Sequence, residues 1–246
     1  MTDANGQSPQ EGKPGQNMDG RETAQPSGPE SGKSGKSGGI RAMILVALVI
    51  CAGLAILYGM NAGGGKKSGG IAGLCAPSKE VATRISPLAT GKLAALAVPK
   101  SPAPATNIGF DGPDGQKLNI ASFMGKTVLL NIWATWCVPC RAEMPELDDL
   151  QKDLGSADFE VVAVNIDTSR LERRQQFLKS VGVKSLKFYS DKEAQSFQVL
   201  KQAGKVLGLP ATFLIDANGC EIGRMAGPAA WGSEDAKKLI RAAMGK

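Results

Sequence analysis

The sequence contains no histidine, and aromatic residues make up only 5% of its 246 residues. Histidine is the usual base beside a serine or cysteine nucleophile and a frequent metal ligand. Its absence excludes Ser-His and Cys-His catalysis and histidine-ligated metal sites. Five cysteines are present, so thiol chemistry is the main remaining candidate.

The net charge of +6 raises the question of nucleic-acid binding. A nucleic-acid protein normally shows a basic helix face or basic residues interleaved with aromatics. Neither pattern is visible here, so no nucleic-acid partner is expected. Much of the excess positive charge lies between positions 66 and 100, which indicates a linker near an anionic membrane surface.

The N-terminal part of the chain divides into three segments. Residues 1–41 are rich in Gly, Ser, Pro and Gln without apolar periodicity, which predicts a disordered cytoplasmic leader. Residues 42–60, AMILVALVICAGLAILYGM, carry no charge and predict one transmembrane helix. A cleaved signal peptide and a buried core helix are the alternatives. The long leader and the lack of a clear cleavage triplet favour an uncleaved anchor in contact with the lipid bilayer.

The orientation of this anchor does not follow from charge, because three basic residues flank each side of it. These are Lys33, Lys36 and Arg41 before the span, and Lys66, Lys67 and Lys79 after it. Residues 61–105 read as a linker with a short helical extension, for which Ser78 is the expected N-cap. Residues 106–246 form the predicted globular domain.

The stretch 128–145, VLLNIWATWCVPCRAEMP, carries the chemistry of the chain. A buried strand is followed by a turn and by two cysteines that open a helix. Unpaired N–H groups at a helix start favour a thiolate, so Cys137 is the expected nucleophile and Cys140, one turn further on, the resolving thiol. Pro139 suits the first helical turn and stiffens it.

A zinc site is the alternative reading of two cysteines at this spacing. Structural zinc needs a second pair of ligands. The sequence offers no histidine and no other closely spaced cysteine pair. A redox-active pair without metal or cofactor is therefore predicted.

The order of elements predicts an α/β fold. A hairpin is expected over 107–120, followed by a central strand at 127–133 and a helix after the cysteines. A second buried strand at 159–166 then implies a parallel crossover. A hairpin over 211–226 and a closing helix capped by Ser233 complete the pattern.

Several of these segments resemble the thioredoxin superfamily, in particular NIWATWCVPCRAEMPEL and GLPATFLID. More narrowly, WATWCVPCRAEMP, NID, NGCEI and AGPAAW resemble the membrane-anchored TlpA-like thiol–disulfide oxidoreductases. The resemblance covers residues 75–246. It implies a thioredoxin-like fold, a central mixed sheet flanked by helices, that faces the periplasm. It also implies reduction of disulfides in exported proteins, including copper-site thiols of cytochrome oxidase.

The resemblance also suggests how protons are handled. Thioredoxins carry a buried aspartate six residues before the first cysteine, where this chain has Asn131, which cannot titrate. Glu143 matches a glutamate of the extracytoplasmic members and is the candidate for proton transfer with Cys140. The alternative for Glu143 is a helix-surface carboxylate paired with an Arg or Lys.

Residues outside the cysteine motif complete the expected site. Pro210 matches the cis-proline of the family, which would leave the backbone of Leu209 free to pair with an extended substrate. A trans proline at a strand start is the alternative. Trp136 and Pro139 are expected to form substrate-binding surface beside the thiolate, whereas Trp133 and Trp231 are more typical of core residues.

The remaining cysteines are Cys51 in the anchor, Cys75 and Cys220. With Cys137 and Cys140 assigned, Cys75 and Cys220 form the expected structural disulfide, and TlpA-like proteins have a corresponding one. Two unpaired buried thiols are the alternative.

The sequence therefore predicts a monomeric thiol–disulfide reductase, single-pass in a bacterial inner membrane with its C-terminal domain in the periplasm. Its expected partners are a copper chaperone or cytochrome oxidase subunit as substrate, and a membrane electron donor of the thiol-transfer type. Apocytochrome c is an alternative substrate, although Ala211 replaces a glutamate found in one branch of the cytochrome c reductases. A thiolate copper carrier is the alternative of another class, disfavoured by the lack of histidine and of a methionine-rich cluster.

Overall fold

The computed structural model describes residues 48–52 and 73–246 of the chain. Residues 48–52 are helical, whereas the predicted leader, the rest of the predicted span 42–60 and the linker up to residue 72 lie outside the described residues. Within the two described ranges, no helix has the length and apolar character needed to cross a bilayer.

The second range, 73–246, contains eight strands and five α-helices. The strands are β1 (Ala103–Pro104), β2 (Gly109–Asp111), β3 (Lys117–Asn119), β4 (Thr127–Trp133), β5 (Phe159–Asn165), β6 (Tyr189–Ser190), β7 (Ala211–Ile215) and β8 (Cys220–Ala226). The helices are α1 (Ser78–Ile85), α2 (Val138–Leu154), α3 (Glu172–Ser180), α4 (Gln195–Gln202) and α5 (Glu234–Ala243). Short 3-10 turns occupy Ser86–Leu88, Gly91–Leu93 and Ile120–Phe123.

All eight strands belong to one mixed sheet in the order β1-β8-β7-β4-β5-β6-β2-β3. The central strand β4 pairs in parallel with β5 and antiparallel with β7. Every residue of β4 and of β5 is buried, as expected for apolar strands covered on both faces. The mixed sheet, the flanking helices and both hairpins confirm the architecture expected from the sequence.

The N-terminal extension packs onto the domain. Ile85, Leu93 and Leu96 belong to the buried core, and Ala97 exchanges two backbone hydrogen bonds with Arg224 of β8 at 2.8 and 3.0 Å. The expected capping role of Ser78 is wrong, because it is the first residue of α1 and the N-cap position belongs to Pro77. Its buried hydroxyl instead lies 3.5 Å from the amide nitrogen of Asn218.

The pairing of the central strands determines which residues meet at one end of the sheet. The chain leaves β4 at Trp133 and enters α2 at Val138, so both cysteines follow the carboxyl end of β4. Ile132 pairs with Ala211, the first residue of β7, which places Pro210 at the same end. Trp133 pairs with Asn165, so the loop after β5 also starts there.

Candidate active site

Cys137 and Cys140 are joined by a disulfide at the start of α2, with their Cα atoms 5.3 Å apart. Cys137 is the N-cap residue in an extended conformation, and its Sγ accepts a hydrogen bond from the backbone N–H of Cys140 at 3.3 Å. The same N–H and the helix dipole would stabilise a thiolate on Cys137 after reduction. The predicted position of the pair at a helix N-terminus is therefore present in the structure.

The two sulfurs differ in access to solvent. Cys140 is fully buried, whereas Cys137 retains 6% exposure. A nucleophilic cysteine normally needs greater exposure than this. The difference arises because its Sγ is bonded to Cys140 and lies against the first turn of α2 in the disulfide form. Trp136 and Val138 on either side of Cys137 are 68% and 73% exposed, and Pro139 is also exposed, so exposed apolar residues flank the less deeply buried cysteine.

Glu143 lies in the interior one turn after Cys140 and is only 3% exposed. Its Oε1 accepts from the indole N–H of Trp231 at 2.5 Å and from the backbone N–H of Ala229 at 3.3 Å. Its Oε2 accepts from the amide of Asn131 at 3.3 Å. This burial contradicts the alternative of a surface carboxylate, and no ion pair of Glu143 occurs among the described residues.

Burial raises the pKa of Glu143 from its ordinary value of 4.5 to about 7. The hydrogen bonds from Ala229, Trp231 and Asn131 act in the opposite direction, since they favour the carboxylate. The outcome is a carboxyl group that gains and loses a proton near neutral pH. Positions 140 and 143 are three residues apart on α2 and are therefore neighbouring positions on one helix face.

Asn131 stands on β4 where thioredoxins carry an aspartate. Its side-chain amide donates to Glu143 and, at 2.9 Å, to the hydroxyl of Thr212 on β7. It is fully buried and cannot titrate. The titratable group facing the cysteines therefore comes from α2 rather than from the strand.

Trp231 is a site residue that the sequence reasoning missed. It is fully buried, as a core residue would be, but its only polar atom donates to Glu143 across 88 residues of sequence. The AGPAAW segment was recognisable as part of the family pattern. Nothing in the sequence itself indicated which carboxylate its indole N–H would meet.

The Leu209-Pro210 peptide bond is cis. The carbonyl of Pro210 accepts from the backbone N–H of Gly227 at 3.0 Å. Within the described part of the chain, the N–H and C=O of Leu209 make no backbone hydrogen bond. The structure thus brings Leu209 and Pro210 to the same end of the sheet as the cysteine pair, with a backbone edge that an extended peptide could pair with.

Cys75 and Cys220 form a second disulfide, with a Cα–Cα distance of 5.8 Å. It connects the segment before α1 to the first residue of β8, and both sulfurs are buried. Cys51 carries no disulfide partner among the described residues. In the same residues no cluster of three or more Cys, Asp or Glu side chains is arranged to hold a metal ion.

Comparison with known proteins agrees with this geometry. The family model described as Redoxin matches residues 99–240, more than half of the chain. The chain is 35% identical over 115 residues to the thiol-disulfide oxidoreductase ResA of Bacillus subtilis (strain 168), covering 47% of this chain and 61% of that protein. It is 34% identical over 122 residues to ResA of Geobacillus thermodenitrificans (strain NG80-2), covering 47% of this chain and 67% of that protein.

Among solved structures, a DsbF homologue from Corynebacterium diphtheriae is 25% identical, with a TM-score of 0.49, covering 60% of this chain and 92% of that one. The chain spans about three fifths of the length of the Bacillus subtilis relative.

Proposed function

The chain belongs to the Redoxin family, within the thioredoxin superfamily, and on this premise we propose that it is a thiol–disulfide oxidoreductase acting through Cys137 and Cys140. The observation that carries this proposal is the cysteine pair at the N-terminus of α2, in which Cys137 retains 6% exposure and Cys140 none, with a titratable carboxyl group three residues further along the same helix. This arrangement supplies the attacking thiolate, the resolving thiol and a proton acceptor.

In the proposed reaction the Cys137 thiolate attacks one sulfur of a substrate disulfide, which forms a mixed disulfide and releases the other substrate sulfur as a thiolate. Glu143 then takes the proton of the Cys140 thiol. The Cys140 thiolate attacks the Sγ of Cys137 and releases the second substrate sulfur. Two electrons pass to the substrate, and the enzyme is left with the Cys137–Cys140 disulfide.

The proposed direction of electron flow is toward the substrate. The Val138-Pro139 dipeptide between the cysteines resembles the Gly-Pro of reductants more than the Pro-His of oxidases.

The proposed location is the periplasmic face of a bacterial inner membrane, with residues 42–60 as the single span. A membrane electron donor of the thiol-transfer type would then reduce the enzyme again.

The proposed substrates are disulfides of exported proteins, with the copper-site thiols of cytochrome oxidase assembly first. Apocytochrome c is the alternative substrate, supported by the likeness of the cysteine motif and Glu143 to the cytochrome c reductases. Both substrates use the same exchange chemistry, so they differ only in which protein is held on Cys137.

The test of the exchange mechanism is a trapping experiment with Cys140→Ser in the full-length chain. Without the resolving thiol, mixed disulfides on Cys137 should accumulate in cells and disappear on treatment with a reductant. The double variant Cys137→Ser/Cys140→Ser should show none. Absence of reducible adducts with Cys140→Ser would contradict the mechanism, and mass spectrometry of the adducts would separate the two substrate classes.

A redox titration of the Cys137–Cys140 pair against glutathione tests the direction. The reductant thioredoxin has a potential of about −270 mV, and the oxidase DsbA has one of about −120 mV. A value close to that of DsbA would reverse the proposed direction.

Carbonate extraction of membranes tests the proposed anchor. Resistance of the full-length chain to extraction, with a C-terminal reporter active outside the cytoplasm, would support it.

A further inference from the structure

A groove with a cavity volume of about 590 Å³ is lined by residues that adjoin the redox pair in sequence. It is bounded by the exposed Trp136, by the start of α2 and by the segment that runs from the end of β5 into α3. The side chains that define its character are Trp136, Arg141, Asp167, Arg170, Arg173 and Phe177. Trp136 directly precedes Cys137 and Arg141 directly follows Cys140, so two residues of the groove are sequence neighbours of the redox pair, although neither cysteine lines it.

Three arginines give this groove its charge. Arg141, Arg170 and Arg173 are exposed, and none of them forms an ion pair with a carboxylate in the part of the chain that the structure describes. Guanidinium groups remain charged at every physiological pH and bind carboxylates through two parallel N–H donors. All three therefore remain available to a ligand.

Asp167 is the one acidic residue in the lining, and it is already engaged. Its carboxylate accepts from the backbone N–H of Thr135 at 3.1 and 3.2 Å and from the amide of Asn165 at 3.0 Å. It is buried, and it interacts favourably with the neighbouring buried guanidinium of Arg174. Asp167 thus holds the loop in place, and its single negative charge leaves the groove, which has three arginines, with an excess of positive charge.

The groove is also held in shape around one of its arginines. The guanidinium carbon of Arg141 lies 5.1 Å from the ring centroid of Phe177, so the side chain rests on an aromatic face contributed by α3. A cation that is positioned before binding loses less side-chain entropy when a ligand arrives. Trp136, the residue before Cys137, adds an exposed apolar surface to the groove.

We infer that this arginine groove binds an acidic peptide segment next to the disulfide of the protein substrate. The inference rests on the proposed exchange function and specifies its substrate class: an exported protein with Asp or Glu residues a few positions from the reactive cysteine. The arginines attract the acidic segment, and Trp136 packs against the apolar residues beside the disulfide. The groove selects the substrate and takes no part in bond making.

The first experiment measures binding without exchange. The full-length chain is titrated with three labelled peptides in which serine replaces cysteine, and whose flanking residues are acidic, glutamine or lysine. The acidic peptide should bind at least about tenfold more tightly than the glutamine peptide at low salt, and the difference should shrink as the salt concentration rises. Equal binding of all three peptides, or preference for the lysine peptide, would overturn the inference.

The variant Arg141→Gln/Arg170→Gln/Arg173→Gln tests the groove itself. Lys152→Gln/Lys238→Gln/Arg241→Gln is the matched control, because it removes the same charge from exposed residues without ion pairs in the described structure. Lys238 and Arg241 lie on α5, and Lys152 lies in the last turn of α2. These two helices are joined by an ion pair between Lys237 and Asp153, which the control leaves intact. The groove variant should lose the preference for the acidic peptide, roughly threefold per arginine, and the control should keep it. If the groove variant and the control variant lost the preference for the acidic peptide equally, the effect would come from net charge, and the inference would be overturned.

Kinetics with cysteine-containing disulfide peptides separates this inference from the proposed function. The groove variant should reduce the acidic disulfide about tenfold more slowly at low salt, yet reduce an uncharged small disulfide at the normal rate. If the unmodified chain exchanges with no disulfide, the proposed function fails while the serine peptides still test the groove. If exchange is normal and the acidic preference is absent, only the groove inference fails.

Discussion

At the scale of single residues, the site depends on one buried carboxyl group. Glu143 receives three hydrogen bonds that favour its charged form, yet burial raises its pKa to about 7. Burial outweighs the hydrogen bonds, so the protonated and charged forms of Glu143 are about equally populated at neutral pH. A group in this condition can accept a proton from Cys140 in one step and return it in another without a large free-energy cost in either direction.

The raised pKa of Glu143 predicts how stability depends on pH. The unfolded chain releases this proton near 4.5 and the folded chain only near 7, so the folded state binds more protons between these values. Its contribution to stability is complete below about pH 4.5 and is lost as the pH rises to 7. Glu143→Gln should remove this slope, on the order of 3 kcal/mol in the free energy of unfolding.

Urea unfolding between pH 4.5 and 8 measures the slope, and Glu146→Gln is the control. Glu146 is a half-buried neighbour on the same helix that accepts from the backbone N–H of Gly232. If the unmodified chain and Glu143→Gln showed parallel curves, the raised pKa would be contradicted.

The hydrogen bond from Trp231 should affect the pKa of the Glu143 carboxyl group. Trp231→Phe removes the N–H that donates to Glu143 at 2.5 Å and should raise the carboxyl pKa further, since that bond favours the charged form. Carbon-detected NMR of the Glu143 carboxyl group would report the midpoint. Trp133→Phe is the matched control, because the indole of Trp133 is equally buried but donates to the carbonyl of Ala163. An equal midpoint in both variants would rule out this role for Trp231.

At the scale of elements, α2 joins the chemistry to the framework. Its first residues carry the cysteine pair, and its middle carries Glu143. Further along, Asp148 accepts hydrogen bonds from the backbone N–H groups of Lys184, Ser185 and Leu186 at 2.6 to 3.1 Å. The loop after α3 is thereby fastened to the same helix that holds the reactive sulfurs.

Asp148→Asn should destabilise the chain by about 2 kcal/mol, because an amide offers one acceptor oxygen and no charge to three backbone donors. The adjacent Asp149→Asn is the matched control, since Asp149 is exposed and accepts no hydrogen bond among the described residues. Chemical denaturation at pH 7 measures both variants. Equal unfolding free energies would show that the Asp148 contacts add nothing.

Elements with strong local signals could be read from the sequence. The run 127–133 matches β4 and the hairpin 211–226 matches β7 and β8, because a continuous apolar run and a turn-bounded strand pair are local patterns. The expected capping role of Ser78 failed because tertiary packing buried its hydroxyl instead. The interior strands and the redox pair were therefore predictable.

Contacts between distant segments were beyond the sequence. The bond from Trp231 to Glu143 and those from residues 184–186 to Asp148 depend on how loops return to α2. The arginine groove likewise combines the start of α2 with the segment before α3. In the sequence alone, these residues cannot be distinguished from ordinary surface or core residues, because their contacts depend on the tertiary fold.

At the scale of the whole molecule, the two disulfides have separate tasks. The Cys137–Cys140 pair closes a single helical turn, whereas Cys75 and Cys220 are 145 residues apart in sequence. The longer link encloses most of the domain and ties the segment before α1 to β8. The N-terminal extension therefore belongs to the same cooperative core as the site, through Ile85, Leu93 and Leu96.

Breaking the longer link should lower the stability of the domain without abolishing exchange. In the loop-entropy description, closing a loop of this length stabilises the folded state by about 5 kcal/mol. Cys75→Ser/Cys220→Ser should therefore unfold at much lower urea concentration, while the redox potential of Cys137–Cys140 stays unchanged because neither residue contacts that pair. Cys51→Ser, which removes a cysteine outside both disulfides, should leave both quantities unaltered. A loss of less than about 1 kcal/mol would mean that packing of the extension, rather than the covalent link, holds it to the domain.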